Sequence, residues 1–236
     1  MVQRVKITVV GASGLIGTKV VEHLRNEGHD VVPSSRSSGV DVLTGAGLAD
    51  ALRGADAVVD VTNSPSFDAG QVMEFFTTSA TNLVDAARRA GVGHYVALSI
   101  VGVDGLPDSG YFRAKVAQEK IISESGLPYS IVRATQFAEF ADAITESLTV
   151  GDEVRVPDAL IQPIPADQVA SGVARAAVAT PLNGIVNIGG RHKITFEQMA
   201  RDALARKGDD TKAIVVDPEA RYFGAALSTS SLVTPD

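Results

Sequence analysis

Apolar positions in the first part of the chain fall into short continuous runs that alternate with longer stretches of helical period. Val5-Lys6-Ile7-Thr8-Val9-Val10 is the first such run, and it stops at Gly11. Leu15, Val20, Val21 and Leu24 then recur at the spacing of one face of an amphipathic helix. The pattern predicts a buried strand, a tight turn and a helix start. Further strands are expected over Asp30 to Ser34, Val40 to Leu43 and Ala57 to Val61, with a helical stretch from Gly47 to Arg53. A long helical region runs from Phe67 to Ala90, with a kink or restart near Thr77-Thr78-Ser79, and Gly91 serves as its C-cap. His94 to Leu98 predicts a strand that delivers Ser99 at its C-terminal end. A glycine-rich connection, Val101 to Gly110, leads to a helix beginning near Tyr111, and Pro128 and Tyr129 introduce the strand Ser130 to Ala134. Strand and helix alternate throughout, which predicts an α/β chain with a doubly wound, largely parallel sheet.

The remainder is less regular. Gln136 to Leu148 and Ala166 to Ala179 are expected to be helical, Glu153 to Val156 strand-like, and Gly184 to Gly190 a returning strand. Thr195 and Gln198 fit the N-cap and N3 positions of a capping box, with Ile194 and Met199 as its hydrophobic staple. Ser228 to Asp236 is polar and expected to be loosely held. No repeat or linker divides the chain. Residues 1–236 are expected to form a single domain, with 136–236 contributing a small lobe.

Composition narrows the chemistry. A net charge of −7 argues against a nucleic-acid partner, which needs clustered Lys and Arg. No apolar run approaches the length of a membrane span, and with the first strand entered within five residues no signal peptide is expected. There is no cysteine, so disulfides and thiolate chemistry are excluded and a cytoplasmic location is expected. His23, His29, His94 and His192 are scattered without ligand spacing, and no metal site is expected.

Candidate chemistry starts in the first turn, where Gly11, Gly14 and Gly17 are spaced G-x-x-G-x-x-G. Gly11 allows the turn, Gly14 leaves room for a phosphate, and Gly17 lets the helix pack on the strand. The helix start offers free N–H groups to an anion, so Gly11, Ser13, Gly14, Leu15, Ile16 and Gly17 are the candidate cradle for a dinucleotide. The second strand ends in Ser35-Arg36-Ser37-Ser38, where readers of NAD usually carry an acid. Arg36 instead suits a 2′-phosphate, which favours NADP, with NADPH preferred over NADH. Thr62 opens a loop at a strand C-terminus, where open α/β sheets bind ligands. Tyr111 and Lys115, four apart on a helix, share a face. A lysine ammonium beside a tyrosine is expected to lower the phenol pKa and ready it for proton transfer to or from a carbonyl oxygen. Ser99 can donate a hydrogen bond to the same oxygen. Phe112, Phe137, Phe140, Tyr222 and Phe223 are the candidate lining of a substrate pocket. Asn82 is read as a packing residue, and no fourth relay residue is assigned.

The sequence resembles the short-chain dehydrogenase/reductase superfamily, in particular its atypical NmrA-like NAD(P)-binding branch. The resemblance rests on Gly11-Ala12-Ser13-Gly14-Leu15-Ile16-Gly17, Ser99, Tyr111 with Lys115, the stretch Leu127 to Phe137, and Pro163 to Ala170; it reaches to about Lys207. It implies a Rossmann-type fold with a small C-terminal substrate lobe. It also implies Ser99, Tyr111 and Lys115 as a reductase triad, with Lys115 also holding the nicotinamide ribose. The expected substrate is a small-molecule ketone or quinone, and a homo-oligomer is compatible with this reading. The branch also includes redox sensors that bind the dinucleotide without catalysis, commonly with this pair disrupted; here the pair is intact. An epimerase or dehydratase holding NAD is disfavoured by Arg36 and the small lobe.

Overall fold

The computed structural model describes residues 4–235. The chain runs β1 (Lys6–Val10), α1 (Leu15–Asn26), β2 (Asp30–Ser34), α2 (Leu48–Ala51), β3 (Ala57–Asp60), α3 (Ala69–Ala90), β4 (His94–Ile100), α4 (Gly110–Ser123) and β5 (Tyr129–Ala134). It then leaves the sheet for α5 (Ala141–Ser147) and the short strands β6 (Thr149–Val150), β7 (Glu153–Val156) and β8 (Leu160–Ile161). It returns with α6 (Ala166–Val178) and β9 (Gly184–Ile188) and departs again with β10 (Ile194–Thr195), α7 (Phe196–Lys207) and β11 (Ala213–Val216).

The central sheet has six strands in the order β2-β1-β3-β4-β5-β9, and every pair is parallel. β3 is buried at each of its four positions and β1 from Ile7 onward, which is why both read as continuous apolar runs and not as alternation. Helices α1 and α6 cover one face, where Val20 and Leu24 meet Val169 and Val173. Helices α2, α3 and α4 cover the other, through Leu48, Leu52, Leu83 and Ile122. The strand order turns back between β1 and β3, which opens a crevice beyond the carboxyl ends of those strands. This is the doubly wound Rossmann-type architecture that the alternating pattern predicts.

The segments that leave the sheet, together the lobe, pack through Val154, Val156, Ile161, Phe196, Met199 and Leu232 into one core with Val103, Leu106 and Phe112 of the β4–α4 region. Its sheet runs β11-β7-β6, and β10 pairs with β8. Of residues 136–236, α6 and β9 lie in the main layers, so the lobe is drawn from the segments on either side of them. Thr195 caps α7 by accepting from the Gln198 N–H (3.0 Å), but the Gln198 amide turns to Asp202 (2.8 Å), so only half of the capping box forms. Ile194 and Met199 both belong to the lobe core.

Four expectations are corrected. Val40 to Leu43 is a turn and not a strand. Asp41 caps the Leu43 and Thr44 N–H groups, and Asn82 donates to the carbonyls of Val42 and Leu43 (2.9 Å each), so the segment has no free edge to pair. Asn82 is therefore a tie to a distant turn. Helix α3 is continuous through Thr77 to Ser79 and starts at Ala69 behind the Asp68 cap; the Thr77 and Thr81 hydroxyls fold back onto carbonyls one turn earlier. Gln136 to Leu148 is helical only in part, as a 3₁₀ turn over Ala138–Phe140 followed by α5. Glu139 leaves that turn to accept from the Ala166 N–H at the start of α6 (3.0 Å).

The fourth correction is the C-terminal segment, of which Asp236 lies outside the described residues. It is pinned and not loose. Leu232 is fully buried and bridges Ile161, and Thr234 donates to Gln162. Gly102 accepts the close pass of this segment, since a Cβ there would lie 1.9 Å from the Ser231 carbonyl oxygen. Leu232→Ala is expected to destabilise the protein by about 2–5 kcal/mol in urea unfolding. A loss below about 0.5 kcal/mol would mean that the segment is not part of the cooperative core.

Candidate active site

Each glycine of the first turn has a separate physical reason. Gly11 has φ +90°, and a Cβ there would meet the Val61 carbonyl oxygen at 2.8 Å. Its N–H and that of Ala12 both donate to the Ser34 carbonyl (3.0 and 3.1 Å), which ties the turn to β2. A Cβ on Gly17 would lie 2.1 Å from the Gly11 carbonyl oxygen, so Gly17 is the packing glycine and does not face the cleft. Gly14 is different: its backbone is ordinary extended chain (φ −83°, ψ 173°), and a Cβ would touch only the Gly11 oxygen at 3.4 Å. The protein itself leaves room for a side chain there. Helix α1 also has no side-chain cap and no acid in its first turn, so its leading N–H groups are left for an external anion. A dinucleotide pyrophosphate fits this cradle.

Ser13, Gly14, Leu15 and Ile16 line a cleft of about 470 Å³ that crosses the carboxyl ends of β1, β3, β4 and β5. Arg36 borders one end, in a 3₁₀ turn closed by Ser35 and Ser38. The lining's one carboxylate among the described residues, Asp41, is engaged in its own turn. Thr62 is also on the wall, with its hydroxyl given to Asp60 (2.7 Å).

At the other end Ser99, Tyr111 and Lys115 come together, from the end of β4 and the first turns of α4. Ser109 starts that helix by accepting from the Phe112 N–H. The Ser99 hydroxyl is buried on the cleft wall and has no hydrogen-bond partner among the described residues. An unpaired buried hydroxyl is costly unless something pairs with it, and a ligand oxygen in the cleft can do so once the Ser99 side chain turns toward the cleft that the residue borders. Tyr111 donates its phenol proton to the Asn63 amide oxygen (2.9 Å). The Lys115 ammonium donates to the Leu98 carbonyl (2.8 Å) and to Gln118, and sits 4.5 Å from the centre of the Phe76 ring.

The expected electrostatic coupling differs from what the structure holds. Burial raises the Tyr111 pKa to about 12, against a smaller downward pull from Asn63, and Lys115 makes no bond to it. Lys115 is itself lowered by burial to about 8, with Asp60 and Glu119 pulling back up. Tyr111 is thus a protonated phenol at neutral pH, and burial makes it a weaker acid than a phenol in water.

Of the aromatic candidates, Phe137 and Phe140 line the cleft, their rings 5.5 Å apart. Tyr222 does not: it is buried in the lobe core against Phe196, and burial pushes its phenol up. Phe112 is core as well. Phe223 stacks on Tyr111 (5.8 Å between ring centres), and Phe67 lies 5.6 Å from the same ring while 61% exposed. Phe67 and Asn63 were not among the sequence candidates. Their signal was only their position, just past the end of β3.

Comparison with known proteins bears on this geometry. A family described as NAD(P)H-binding matches residues 11–180. Among curated relatives, the (4-alkanoyl-5-oxo-2,5-dihydrofuran-3-yl)methyl phosphate reductase of Streptomyces griseus is 33% identical over 145 residues, covering 56% of this chain and 48% of that protein. The photosystem II assembly factor Ycf39 of Synechocystis is 25% identical over 148 residues, covering 57% and 45%. The chain thus aligns with about half the length of these relatives. Among solved structures, MoeE5 with UDP-glucose and NAD superposes with a TM-score of 0.72 at 19% identity, covering 89% of this chain and 85% of that one. The NADPH-dependent quinone oxidoreductase QOR2 of Escherichia coli, with NADPH, gives 0.65 at 20% identity, covering 89% and 77%.

Proposed function

Because the chain belongs to the NAD(P)H-binding family, we propose that it is an NADPH-dependent reductase of the atypical, NmrA-like kind, acting on a ketone or quinone carbonyl. The observation that carries this reading is the unpartnered Ser99 hydroxyl, buried on the same wall as Tyr111 and Lys115. The names of the Streptomyces reductase and the Escherichia coli quinone oxidoreductase support the reaction class.

The roles follow from the residues. The N–H groups of Ser13, Leu15 and Ile16 would hold the pyrophosphate, the Gly14 N–H being given to the Gly11 carbonyl (3.0 Å), and Arg36 at the cleft's end would take the 2′-phosphate. When bound, the cofactor supplies hydride to the carbonyl carbon. Ser99 donates a hydrogen bond to the carbonyl oxygen and fixes its direction. Tyr111 would exchange its bond to Asn63 for that oxygen and give it the phenol proton, which the alkoxide formed by hydride addition is basic enough to take even from a phenol near 12. Two of the three Lys115 N–H donors are occupied by Leu98 and Gln118, and the third would serve the nicotinamide ribose. Phe137 and Phe140 border the substrate space.

The test is NADPH oxidation against a panel of ketones and quinones, where saturable turnover of at least one carbonyl is expected. Tight binding without turnover of any would select the second reading, a dinucleotide sensor. That reading draws on the cover of Phe67 and Phe223 over Tyr111 and on the bond that occupies its hydroxyl. For the cofactor, Arg36→Ala should remove an NADPH preference of roughly ten- to a hundredfold, the worth of one charge-assisted bond, and leave NADH affinity nearly unchanged. Calorimetry with both cofactors checks this; equal affinities in the parent protein would contradict it.

A further inference from the structure

Asp60 ends β3 as a carboxylate that is 1% exposed. It accepts from the Tyr95 hydroxyl (2.9 Å), the Gln118 amide (3.0 Å), and the N–H and hydroxyl of Thr62 (3.0 and 2.7 Å). All of these donors are neutral. A buried carboxylate without a cation in contact is expensive, and such groups are kept where something repays them.

Gln118, also 1% exposed, supplies the connection. Its amide nitrogen donates to Asp60 and its amide oxygen accepts from the Lys115 ammonium. The two contacts fix the amide's orientation, since flipping it would set a donor against the ammonium and an acceptor against the carboxylate. Negative charge, oriented dipole and positive charge thus form one line inside the protein, ending at the cleft.

The other charges around Lys115 do not replace Asp60. Glu119, next on the same helix, is bound by Arg133 of β5 through both oxygens (3.0 and 2.7 Å), and Arg133 also holds Asp104 (3.1 Å). Tyr95 and Tyr111 are phenols that burial keeps protonated. Phe76 offers the ammonium only a ring face.

We propose that Asp60, acting through the Gln118 amide, is the positioning carboxylate that holds Lys115 in its charged form and aims it at the cleft. The proposal rests on the assignment of Lys115 to the site, but its test does not require turnover. The ¹³Cε signal of Lys115, assigned by its absence in Lys115→Met, is followed against pH in the full-length protein. The parent signal should titrate near pH 8. Asp60→Asn should lower that midpoint by about one pH unit, as expected on removal of an opposite charge. Gln118→Met, which keeps the volume but breaks the line, should lower it in the same direction, and it decides the matter if Asp60→Asn does not fold. Tyr95→Phe removes another donor to Asp60 without touching the line and should leave the midpoint in place. In the parent and both line variants, the alkaline limb of NADPH turnover should move with the lysine. An unchanged midpoint in folded Asp60→Asn or Gln118→Met overturns the proposal, as does an equal fall in Tyr95→Phe. Absence of turnover in the parent, with the lysine behaving as described, would instead overturn the reductase reading alone.

Discussion

Tyr111→Phe is expected to cut carbonyl turnover by about 10²–10⁴-fold, the contribution of a positioned general acid, with cofactor affinity and Tm near those of the parent. The ring keeps its contacts with Phe67, Phe76, Phe112 and Phe223, and the fold loses one hydrogen bond, to Asn63. Lys115→Ala should also damage turnover and weaken NADPH binding. The two losses should be less than additive, because both residues act on the same carbonyl and cofactor. The pH profile separates them. Lysine carries its charge below its pKa, so activity that needs the ammonium is full below about pH 8 and falls as pH rises through it. The phenol, at about 12, contributes no limb in that range. Stopped-flow turnover of an identified carbonyl, with melting curves alongside, gives both results. Parental turnover in Tyr111→Phe would remove it as the acid.

The second large effect separates two glycines of one motif. Gly14→Val should fold, because the backbone there is ordinary and a side chain meets no protein atom closer than 3.4 Å. It should nevertheless lose affinity for NADPH and NADH alike by on the order of 10²-fold or more, roughly 3 kcal/mol, since the branched side chain takes the phosphate's place. Gly17→Ala should do the reverse. One methyl placed 2.1 Å from a backbone oxygen forces α1 off β1, a clash at or above the roughly 1–3 kcal/mol usual for overpacked sites. What remains folded should bind cofactor. Calorimetry and urea unfolding on the pair read the crossed pattern; normal affinity in folded Gly14→Val would place the phosphate elsewhere.

What could be read from residues alone was whatever is decided locally. The step from β1 through the turn to α1 is written in adjacent residues, and the spacing of Tyr111 and Lys115 is a property of one helix. Ser99 could be found because a continuous buried run points to the residues at its carboxyl end, although β4 carries on one residue further, to Ile100. The misreadings share a different cause. Val40 to Leu43 has strand composition but is bent by Asn82, which is remote in sequence. The segment after Ser228 is polar on average, yet one leucine, Leu232, anchors it in the lobe. Tyr222 and Phe223 are adjacent, but a tight turn with Phe223 at φ +48° sends one ring into the core and the other onto Tyr111. The phenol pKa was misjudged because spacing shows that two side chains share a face and says nothing of their burial.

The divided lobe has a consequence for the order of assembly. During synthesis β1 to β5 can consolidate once the ribosome has released Ala134, since each pairs with a strand already made. The edge of β5 then stays open until Gly184–Ile188 arrives, with the whole first lobe segment hanging between them. Within that segment β7 has only the two-residue β6 beside it, and its parallel partner β11 comes last of all the strands. Such late, non-local pairing is slow, and an unpaired apolar edge invites wrong partners while it waits. Refolding from urea should therefore regain the sheet before the aromatic cover of Tyr111, and crowding or heat during expression should harm yield more than it harms the finished protein.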